Sequence, residues 1–470
     1  MNQSNQLKQA APSRGRFANT GNGPRLIPID IGHATYFGLL DPDTAFWSLV
    51  EKESLVETLS NEAFLSACKE KADAFSHEMD TLRFGLGLSA VYVNPTERCN
   101  LNCTYCYIPK EMRRNGGQMT KETLFSGLGI LKNYFESKLP QGRLPQIIFH
   151  GAEPFMCREI IFEAIEHFAG SFRFGIQTNG TMLDEAGAAF LMETGTSIGL
   201  SLDAPVAEIA DRTRKTWKGD GVFGKTMEAV KLLKGYSGFN VICTVTRENM
   251  AHLSLLVDLF HAHEVPATML NMLRCTLAPA RDIRPSDQDV YSYFEAAIKR
   301  THELYRKTGR KLIVANFANI LISIMAPSAR RLMCDISPCG GGRVFFALAP
   351  DGSMYPCSEF LGLPKFCGGN LFRDNIDNVL QSPPFLEVTN RRVETIDPCR
   401  HCAVRHFCGA PCPAEANEMR GALDRPGAFC EFYEEQVRLA LRIIADGSAN
   451  DFLWDGWDND TETLFDADWL

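Results

Sequence analysis

The sequence has little of what membrane-spanning, secreted or nucleic-acid-binding proteins need. No apolar run reaches the roughly 18 residues that cross a bilayer, and positions 1–25 lack the apolar core of a secretion signal. The net charge of −9 lacks the basic surplus that nucleic-acid binding requires. We therefore expect a cytoplasmic protein with neither a membrane nor nucleic acid among its partners.

Cysteine, in contrast, is abundant, with 16 residues in a chain of 470. Because the chain shows no export signal, disulfides are disfavoured and ligation of a metal or a cluster explains the cysteines better. Three of them lie within positions 99–106, and eight more form a pattern within 334–430. The other five are scattered, and Cys243 and Cys275 lie in strand-like runs typical of core residues. Cys367 is predicted to be a packed thiol, with substrate binding or cluster ligation as alternatives.

The three-cysteine loop, Cys99 to Cys106, has the spacing C-x3-C-x2-C. Three thiolates on one short loop can hold three irons of a [4Fe–4S] cluster, and the fourth iron then has no protein ligand. The alternative is a zinc knuckle, which needs four ligands. The spacing therefore favours an iron–sulfur cluster with one iron open to a small molecule.

Short apolar runs alternate with helical patterns from residue 88 to about 275, as in parallel strands that are buried on both faces. One helix is predicted to begin at Thr120 as its N-cap. Six β/α repeats predict an α/β fold with a partial (β/α)6 TIM-like barrel, whose reactive residues gather at the C-terminal strand ends. The predicted strands are Leu88–Val93, Gln146–His150, Phe174–Thr178, Ser197–Leu202, Asn240–Thr246 and Ala267–Leu273.

The remaining segments divide the chain further. We expect a flexible arm over 1–24, an N-terminal α+β extension over 25–87, the barrel over 88–310, a cysteine-rich domain over 311–440 and an acidic, aromatic tail over 441–470. In the extension, Leu26–Ile31 and Ala34–Leu40 predict a hairpin, followed by helices over 43–52 and 61–80. The extension loosely resembles peptide-recognition domains of winged-helix type, and a purely structural extension is the alternative.

The three-cysteine loop, followed by Tyr107, resembles the radical S-adenosylmethionine (radical SAM) enzymes. In that family the open iron chelates SAM, and one electron cleaves SAM to a 5′-deoxyadenosyl radical that abstracts hydrogen. Three strand ends carry further matches, His150-Gly-Ala-Glu-Pro154, Thr178-Asn-Gly180 and Ser201-Leu-Asp-Ala-Pro205, and Arg214 follows. The family's Gly-Gly-Glu-Pro has Ala152 in place of its second glycine here, where a positive φ would be strained. The resemblance implies SAM contacts by Tyr105, Gly151, Ala152, Glu153, Asn179, Ser201, Arg214 and Leu273.

The later cysteines resemble the SPASM domain, which makes the predicted cysteine-rich domain a two-cluster SPASM domain. The resemblance implies two fully ligated auxiliary [4Fe–4S] clusters, and hence three clusters in all. Two zinc sites are the alternative. Auxiliary set one is Cys334, Cys339, Cys357 and Cys412, and auxiliary set two is Cys399, Cys402, Cys408 and Cys430.

The resemblance implies an enzyme that matures a ribosomal precursor peptide or a small protein, with a reductant such as flavodoxin or ferredoxin. Glu359 is the candidate base. The favoured product is a Cys thioether, with a carbon–carbon or cyclophane crosslink as its rival. Formylglycine formation, as in anaerobic sulfatase maturation, is a further alternative, although Ser358 stands where that family carries its Asp base. A non-catalytic iron–sulfur electron carrier is an alternative of another class.

Overall fold

The computed structural model describes residues 25–458, and the predicted arm over 1–24 and the last part of the predicted tail lie outside the described residues. Most strands belong to one ten-stranded sheet, and the first three form a separate sheet. The strands are β1 (Ile27–Ile29), β2 (Tyr36–Leu40), β3 (Trp47–Glu51), β4 (Ala90–Val93), β5 (Gln146–Phe149), β6 (Arg173–Thr178), β7 (Ser197–Ser201), β8 (Phe239–Val245), β9 (Ala267–Met272), β10 (Ile313–Val314), β11 (Phe345–Leu348), β12 (Ser353–Tyr355) and β13 (Gly369–Asn370).

Helices connect and cover the strands. They are α1 (Leu55–Ser60), α2 (Glu62–Asp80), α3 (Lys110–Asn115), α4 (Lys121–Lys138), α5 (Arg158–His167), α6 (Glu185–Glu193), α7 (Ala207–Thr213), α8 (Phe223–Leu232), α9 (Leu253–Ala262), α10 (Ala278–Asp282), α11 (Asp287–Thr308), α12 (Ala315–Met325), α13 (Ile376–Leu380), α14 (Pro383–Thr389), α15 (Arg405–Cys408), α16 (Pro413–Arg420) and α17 (Cys430–Ala445).

The six predicted barrel strands are confirmed as β4 to β9. They pair in sequence order and in parallel, with helices between them. β5 is buried along its whole length, as expected for a strand covered on both faces. Helix α4 begins after Thr120, whose hydroxyl accepts a hydrogen bond from the Thr123 N–H at 3.2 Å, so the predicted N-cap is confirmed as well.

The sheet extends beyond the predicted barrel at both edges. β10 pairs in parallel with β9, and β11 pairs in parallel with β4 through the register Phe345↔Ala90 to Leu348↔Val93. β12 and β13 then continue the sheet in antiparallel fashion. The cysteine-rich segment is therefore joined to the barrel by main-chain hydrogen bonds beside the strand that leads into the three-cysteine loop.

The predicted hairpin of the N-terminal extension is confirmed, because β1 and β2 are antiparallel. The helix predicted over 43–52 is wrong, since β3 lies there and pairs with β2, with Phe37 opposite Val50. Strand pairing and tertiary contact override the local pattern, and the Trp47 indole N–H donates to the Ile324 carbonyl at 2.5 Å. The helix predicted over 61–80 is confirmed as α2.

The last described segment packs against the body of the protein. Helix α17 continues across position 441 to Ala445, and Trp454 is buried against the main core. The Nζ of Lys311 donates to the carbonyls of Asn450 and Leu453 at 3.0 and 2.9 Å. The division of the chain into domains, including the boundary at 440/441, stays a prediction. No helix within residues 25–458 is both long enough and apolar enough to cross a bilayer.

Candidate active site

The three-cysteine loop follows β4 and is held by main-chain hydrogen bonds to two segments. The Cys99 N–H donates to the Arg113 carbonyl at 2.9 Å, and the Asn102 N–H donates to the Lys215 carbonyl at 2.7 Å. The Trp217 indole N–H donates to the Cys99 carbonyl at 2.8 Å. The loop is therefore clamped between the end of α3 and the segment after α7, at the C-terminal edge of the barrel sheet.

The three thiols lie close enough to influence one another electrostatically. Burial raises the pKa of Cys106 to about 11 and also raises the pKa values of Cys99 and Cys103. The negative charges of neighbouring thiolates raise the pKa values of Cys99 and Cys106 further. Deprotonating all three therefore requires a strong electrophile, which is the role of metal in a thiolate site. Within residues 25–458, no three His, Cys, Asp or Glu side chains converge tightly enough to hold a single metal ion. The fit to an iron–sulfur cluster rests on the donor chemistry, since all three donors are thiols.

Glu153 connects the ends of β5 and β6. Its carboxylate is fully buried and accepts hydrogen bonds from the Thr178 hydroxyl at 2.7 Å, the Asn179 N–H at 2.8 Å and the Phe155 N–H at 3.0 Å. Burial raises the pKa of this carboxyl, and the three hydrogen bonds oppose that shift. Asn179 in turn donates from Nδ2 to the Asn100 side-chain oxygen at 2.8 Å. The predicted SAM contacts Glu153 and Asn179 thus form one network that reaches the three-cysteine loop.

The strand-to-helix turn after β5 places its backbone strain on one glycine. Gly151 has φ +104°, and a Cβ there would lie 2.4 Å from the Asn94 side-chain oxygen. Ala152 is absent from the non-glycine residues with positive φ in the described chain. The alanine that departs from the family's Gly-Gly-Glu-Pro motif therefore needs no left-handed conformation.

Tyr105, Asp203 and Arg214 form a buried polar group near the loop. The Tyr105 hydroxyl donates to the Asp203 carboxylate at 2.5 Å and accepts from the Arg214 guanidinium at 2.7 Å. Arg214 Nη1 is also 3.6 Å from the same carboxylate, and the Arg214 Nε–H is buried without a partner. Ser201 ends β7 nearby in sequence, and Leu273 is buried after β9. This group presents an unsatisfied cationic donor where a carboxylate ligand is predicted to bind.

The two auxiliary sets occupy adjacent regions. In set one, burial raises the pKa of the Cys357 thiol, and the thiolate charges of Cys334 and Cys339 raise it further. Cys412 packs in the same apolar cluster as Cys339 and Cys357. In set two, burial raises the pKa of the Cys408 thiol, and the thiolate charges of Cys430, Cys402 and Cys399 raise it further. These charge effects and the shared apolar cluster link members of each set that the SPASM resemblance implies. Their roles as ligands stay predictions.

A member of set one and a residue close to it in sequence adopt positive φ values that residues with side chains rarely take. Ala410 and Cys412 both have φ +47°, and Gly409 has φ +68°. The Cys412 thiol also accepts a hydrogen bond from the Glu415 N–H at 3.4 Å. Such strain is found mainly at functional sites, where surrounding structure maintains it.

Glu359 lies between the three-cysteine loop and set one. One of its oxygens is 3.6 Å from Arg274 Nε, and the other is buried without a hydrogen-bond partner. Burial raises the pKa of Glu359 to about 7, although the Arg274 charge opposes the shift. Burial raises the pKa of the Tyr107 hydroxyl, and the negative charges of Glu359, Cys106 and Cys357 raise it further. The carboxylate that the sequence predicts as a base thus lies close enough to both cysteine groups for its charge to act on Cys106 and on Cys357.

A recess of about 100 Å³ opens beside these residues, between β4, β9, β11 and α17. It is mostly apolar, but Arg274, Asp335 and Tyr433 contribute polar groups to it. Gln436 also lines it, is only 1% exposed, and has neither its amide oxygen nor its amide nitrogen hydrogen-bonded. An unsatisfied buried amide facing a recess is costly unless something polar binds there.

Several site residues were not assigned roles from sequence. Asp203 belonged to a recognised motif but was given no role, and Arg274 directly follows the sixth predicted strand. Their position at C-terminal strand ends was the available signal. Trp217 carried no signal of its own, because its contact with the Cys99 carbonyl depends on how two distant loops meet. Cys367, predicted to be a packed thiol, is half-buried and donates to the Gly369 carbonyl at 3.6 Å.

The fold is a partial barrel of parallel strands, and its first strand leads into the C-x3-C-x2-C loop. Together with the cysteine-rich domain, this arrangement defines a class of iron–sulfur enzymes. Residues 93–260 match the radical SAM superfamily, and residues 339–403 match an iron–sulfur cluster-binding domain, SPASM. An uncharacterised protein of Archaeoglobus fulgidus is 40% identical over 428 residues, which are 91% of this chain and 96% of that protein. The chain belongs to the radical SAM superfamily and carries a SPASM domain. Its radical SAM domain binds a [4Fe–4S] cluster and SAM, and the SPASM domain binds further iron–sulfur clusters.

More distant relatives include the cysteine-type anaerobic sulfatase-maturating enzyme of Clostridium perfringens, 25% identical over 76% of this chain and 97% of that enzyme. A solved structure of the enzyme anSMEcpe with bound AdoMet has a TM-score of 0.68 at 23% identity, covering 79% of this chain and 98% of that one. Streptococcus suis SuiB bound to its precursor peptide SuiA has a TM-score of 0.55 at 11% identity, covering 86% of this chain and 99% of SuiB. At these identities the two structures show that the fold is shared.

Proposed function

We propose that this enzyme matures a ribosomal precursor peptide or a small protein by abstracting a hydrogen atom and forming a thioether from a substrate cysteine. The observation that carries the proposal is the position of Glu359, whose free buried oxygen lies between the three-cysteine loop and auxiliary set one. Relatives of known activity support the substrate class, since anSMEcpe and SuiB have both been solved with peptides bound.

The proposed reaction removes two hydrogens from the substrate. SAM, when bound at the open iron, supplies the 5′-deoxyadenosyl radical that takes one hydrogen atom from a substrate carbon. The substrate thiol loses the other hydrogen as a proton, and formation of the carbon–sulfur bond releases one electron. An auxiliary cluster, which set one or set two would hold, would supply the acceptor for that electron. The proposed ligands of the three clusters are the three-cysteine loop, auxiliary set one and auxiliary set two.

Glu359 is proposed to accept the thiol proton. Its free oxygen is buried and accepts no hydrogen bond from the protein, so a substrate thiol that reaches it can donate its proton there. Arg274, 3.6 Å from the other carboxylate oxygen, fixes the direction in which the free oxygen points. Tyr105, Arg214 and the Glu153–Asn179 network are proposed to orient SAM, with the adenine against Leu273.

The recess beside Arg274 is proposed to receive the substrate chain. Gln436 offers an amide NH2 group as donor and an amide oxygen as acceptor, which together can pair with the C=O and N–H of a peptide unit. The apolar walls formed by Met269, Met272 and Phe345 suit an apolar side chain near the modified position.

The experiment is an intact-mass measurement of a small Cys-containing peptide encoded beside the gene, after co-expression with the enzyme. We expect a loss of two hydrogens for each modification, with an equal loss of alkylatable thiols. The same mass loss with every thiol alkylatable would replace the thioether with a carbon–carbon crosslink. A variant with Cys106→Ala is the inactive control, and Cys68→Ala, a buried cysteine of α2, is the matched active control.

Formylglycine formation is the second candidate, and the cysteine-type sulfatase-maturating relatives that align along nearly their whole length favour it. Against it, the position after Cys357 is Ser358, which is buried and has no carboxylate. In the same experiment this reaction would remove sulfur from the substrate cysteine and leave an aldehyde that reacts with a hydrazide. A product of that kind would overturn the thioether proposal.

The reductant, a flavodoxin or ferredoxin, is proposed to dock beside the three-cysteine loop. Trp217 contacts the Cys99 carbonyl, and the exposed guanidinium group of Arg114 lies 5.8 Å from its ring. A basic surface with an aromatic side chain against a cluster ligand suits an acidic one-electron donor.

A further inference from the structure

Arg391 is a buried cation without a carboxylate partner. It is 6% exposed, and within residues 25–458 no Asp or Glu forms an ion pair with it. Its guanidinium instead donates to two carbonyls, from Nε to Leu423 at 2.6 Å and from Nη2 to Arg425 at 2.8 Å. Carbonyl dipoles hold the group in place but do not neutralise it, and a buried charge is costly unless a counter-charge lies near.

Arg391 lies next to residues that pack against cysteines of both auxiliary sets. Leu423, whose carbonyl it binds, packs in the apolar cluster that contains Cys412. Two residues along the chain, Val393 packs with Cys399 in a separate cluster. Burial lowers the pKa of Arg391, and the thiolates that oppose this effect come from set one (Cys339, Cys412) and set two (Cys399, Cys408). The largest opposing effects on this cation thus come from proposed cluster ligands of both sets.

We propose that the Arg391 guanidinium is the shared counter-charge of the two auxiliary clusters and that it raises the reduction potentials of both. The inference rests on the proposed ligation of two clusters by the eight cysteines. Four thiolates give a cluster net negative charge, and reduction adds to that charge, so a fixed nearby cation favours the reduced form. A cation placed between two clusters acts on both, which makes each of them a better electron acceptor.

Arg330 provides a second, weaker cation of this kind. It is 1% exposed and donates from Nε to the Leu332 carbonyl at 3.0 Å. The thiolates that act on it are Cys334 of set one and Cys408 of set two, but the Asp335 carboxylate acts on it more strongly. Arg330 is therefore partly neutralised by protein, and Arg391 is the position where the proposed effect is cleanest.

The test uses the full chain in a Cys99→Ala, Cys103→Ala, Cys106→Ala background, so that only auxiliary clusters remain. Anaerobic redox titration followed by EPR then reports each cluster without any measurement of activity. At the midpoint potential of each parent cluster, we expect Arg391→Gln to lower the ratio of reduced to oxidised cluster about tenfold, which corresponds to about 59 mV for one electron. Arg391→Lys, which keeps the charge, is expected to retain most of the parent potential.

Arg392→Gln is the matched control, because it removes the same charge one residue away. Arg392 is half-buried, and its guanidinium lies over the Phe84 ring at 5.1 Å. We expect it to leave both potentials unchanged. Unchanged potentials in a fully loaded Arg391→Gln, or a shift of one cluster alone, would overturn the shared role.

Iron content separates the remaining outcomes. The parent background should hold about eight irons if two four-iron clusters are present. Fewer irons in the parent would overturn the proposed ligation itself, and the Arg391 inference with it. If Arg391→Gln and Arg391→Met both lose iron while Arg391→Lys keeps it, the charge is needed to hold the clusters, which supports the counter-charge. Loss of iron in Arg391→Lys as well would show that Arg391 acts by packing, which would overturn the proposal.

Discussion

Arg214 illustrates how a single side chain is tuned for the site. Burial disfavours its charge, but the Tyr105 and Asp203 oxygens outweigh that effect and raise the pKa of Arg214 well above its usual value. Asp203 is itself fixed, because its second oxygen accepts from the Thr244 N–H on β8 at 2.9 Å. The guanidinium is thus permanently charged and held in one orientation, with its Nε–H free for a ligand.

Tyr105→Phe tests this arrangement with the smallest possible change. The substitution removes one hydroxyl that accepts from Arg214 and donates to Asp203, while the 3.6 Å pair between those two residues remains. We expect KM for SAM to rise by about tenfold, in line with roughly 1–1.5 kcal/mol for the hydrogen bond that orients Arg214, and kcat to change less. Steady-state formation of 5′-deoxyadenosine measures both constants. Tyr236→Phe, which removes a hydroxyl bonded to the Thr196 carbonyl, should leave KM unchanged, and an equal rise there would contradict the assignment.

Residues with distinctive chemistry were predictable from sequence, whereas their partners were not. The spacing of Cys99 to Cys106 is enough to predict a cluster-binding loop. The resemblance to radical SAM enzymes points to Glu153 and Arg214. The partnership of Arg274 with Glu359 joins positions 85 residues apart, and no local pattern encodes it. The structure also shows Ala152 without a positive φ, which the sequence pattern could not reveal because Gly151 takes the strained conformation instead.

Elements buried on both faces were the most predictable part of the fold. β4 to β9 are continuous apolar runs bounded by turns, and their bounds differ from the predicted ones by no more than two residues. β3 was mistaken for helix because its partner strand, rather than its own pattern, determines its conformation. β11 to β13 are only two to four residues long, so their contribution to the barrel sheet follows from long-range pairing with β4.

Gly151→Ala tests the turn that connects β5 to the SAM-binding motif. The new Cβ would both adopt φ +104° and lie 2.4 Å from the Asn94 side chain, which itself donates from Nδ2 to the Leu348 carbonyl of β11 at 3.1 Å. We expect a loss of several kcal/mol in stability and of SAM binding, because the neighbour cannot withdraw without breaking its own bond. Anaerobic thermal unfolding and equilibrium binding of SAM measure these effects.

Gly170→Ala is the matched control for backbone strain alone. Gly170 has φ +76°, and an added Cβ there would meet nothing within 4 Å. We expect it to cost about 1 kcal/mol and to leave SAM binding intact. Equal losses in the two variants would show that strain, rather than the close approach to Asn94, accounts for the requirement.

At the scale of the whole molecule, buried polar contacts join the N-terminal extension to the SPASM domain. Arg83 is fully buried and forms an ion pair with Glu394 at 2.7 Å. The same guanidinium donates to the Ser337 carbonyl, next to set one. Arg405, beside set two, pairs with Asp43 of the extension at 2.7 Å. The extension therefore contacts the protein next to both cysteine sets.

Glu394→Gln tests this connection through its dependence on pH. Burial disfavours the carboxylate, but Arg83 outweighs that effect and lowers the pKa of Glu394 to about 2. Since the folded pKa lies below the usual 4.5, the ion pair's contribution is complete above about pH 4.5 and decreases as the pH falls toward 2. We expect the variant to be less stable by on the order of 2 kcal/mol at pH 7 and pH 5, with a smaller difference at pH 3.5.

Anaerobic urea unfolding at the three pH values measures this difference. Glu387→Gln, an exposed carboxylate of α14, is the control for removing a charge from the same domain and should change stability by less than about 0.5 kcal/mol. A difference between wild type and Glu394→Gln that grows as the pH falls would show that the carboxylate is not the charged partner of Arg83.

The charge of the molecule is unevenly distributed, and this bears on how electrons enter. The chain carries a net charge of −9, yet Lys110, Arg114 and Lys218 are exposed around the three-cysteine loop, next to Trp217. If an acidic flavodoxin docks there, Arg114→Glu should slow reduction of the loop's cluster about tenfold at low ionic strength, and added salt should reduce that difference.

Stopped-flow absorbance with reduced flavodoxin measures the rate, with Lys307→Glu on α11 as the control of equal charge change. Dithionite, a small reductant, should reduce the Arg114→Glu protein at the wild-type rate. Slowing by the same factor with dithionite, or slowing that salt does not alter, would place the entry of electrons elsewhere on the surface.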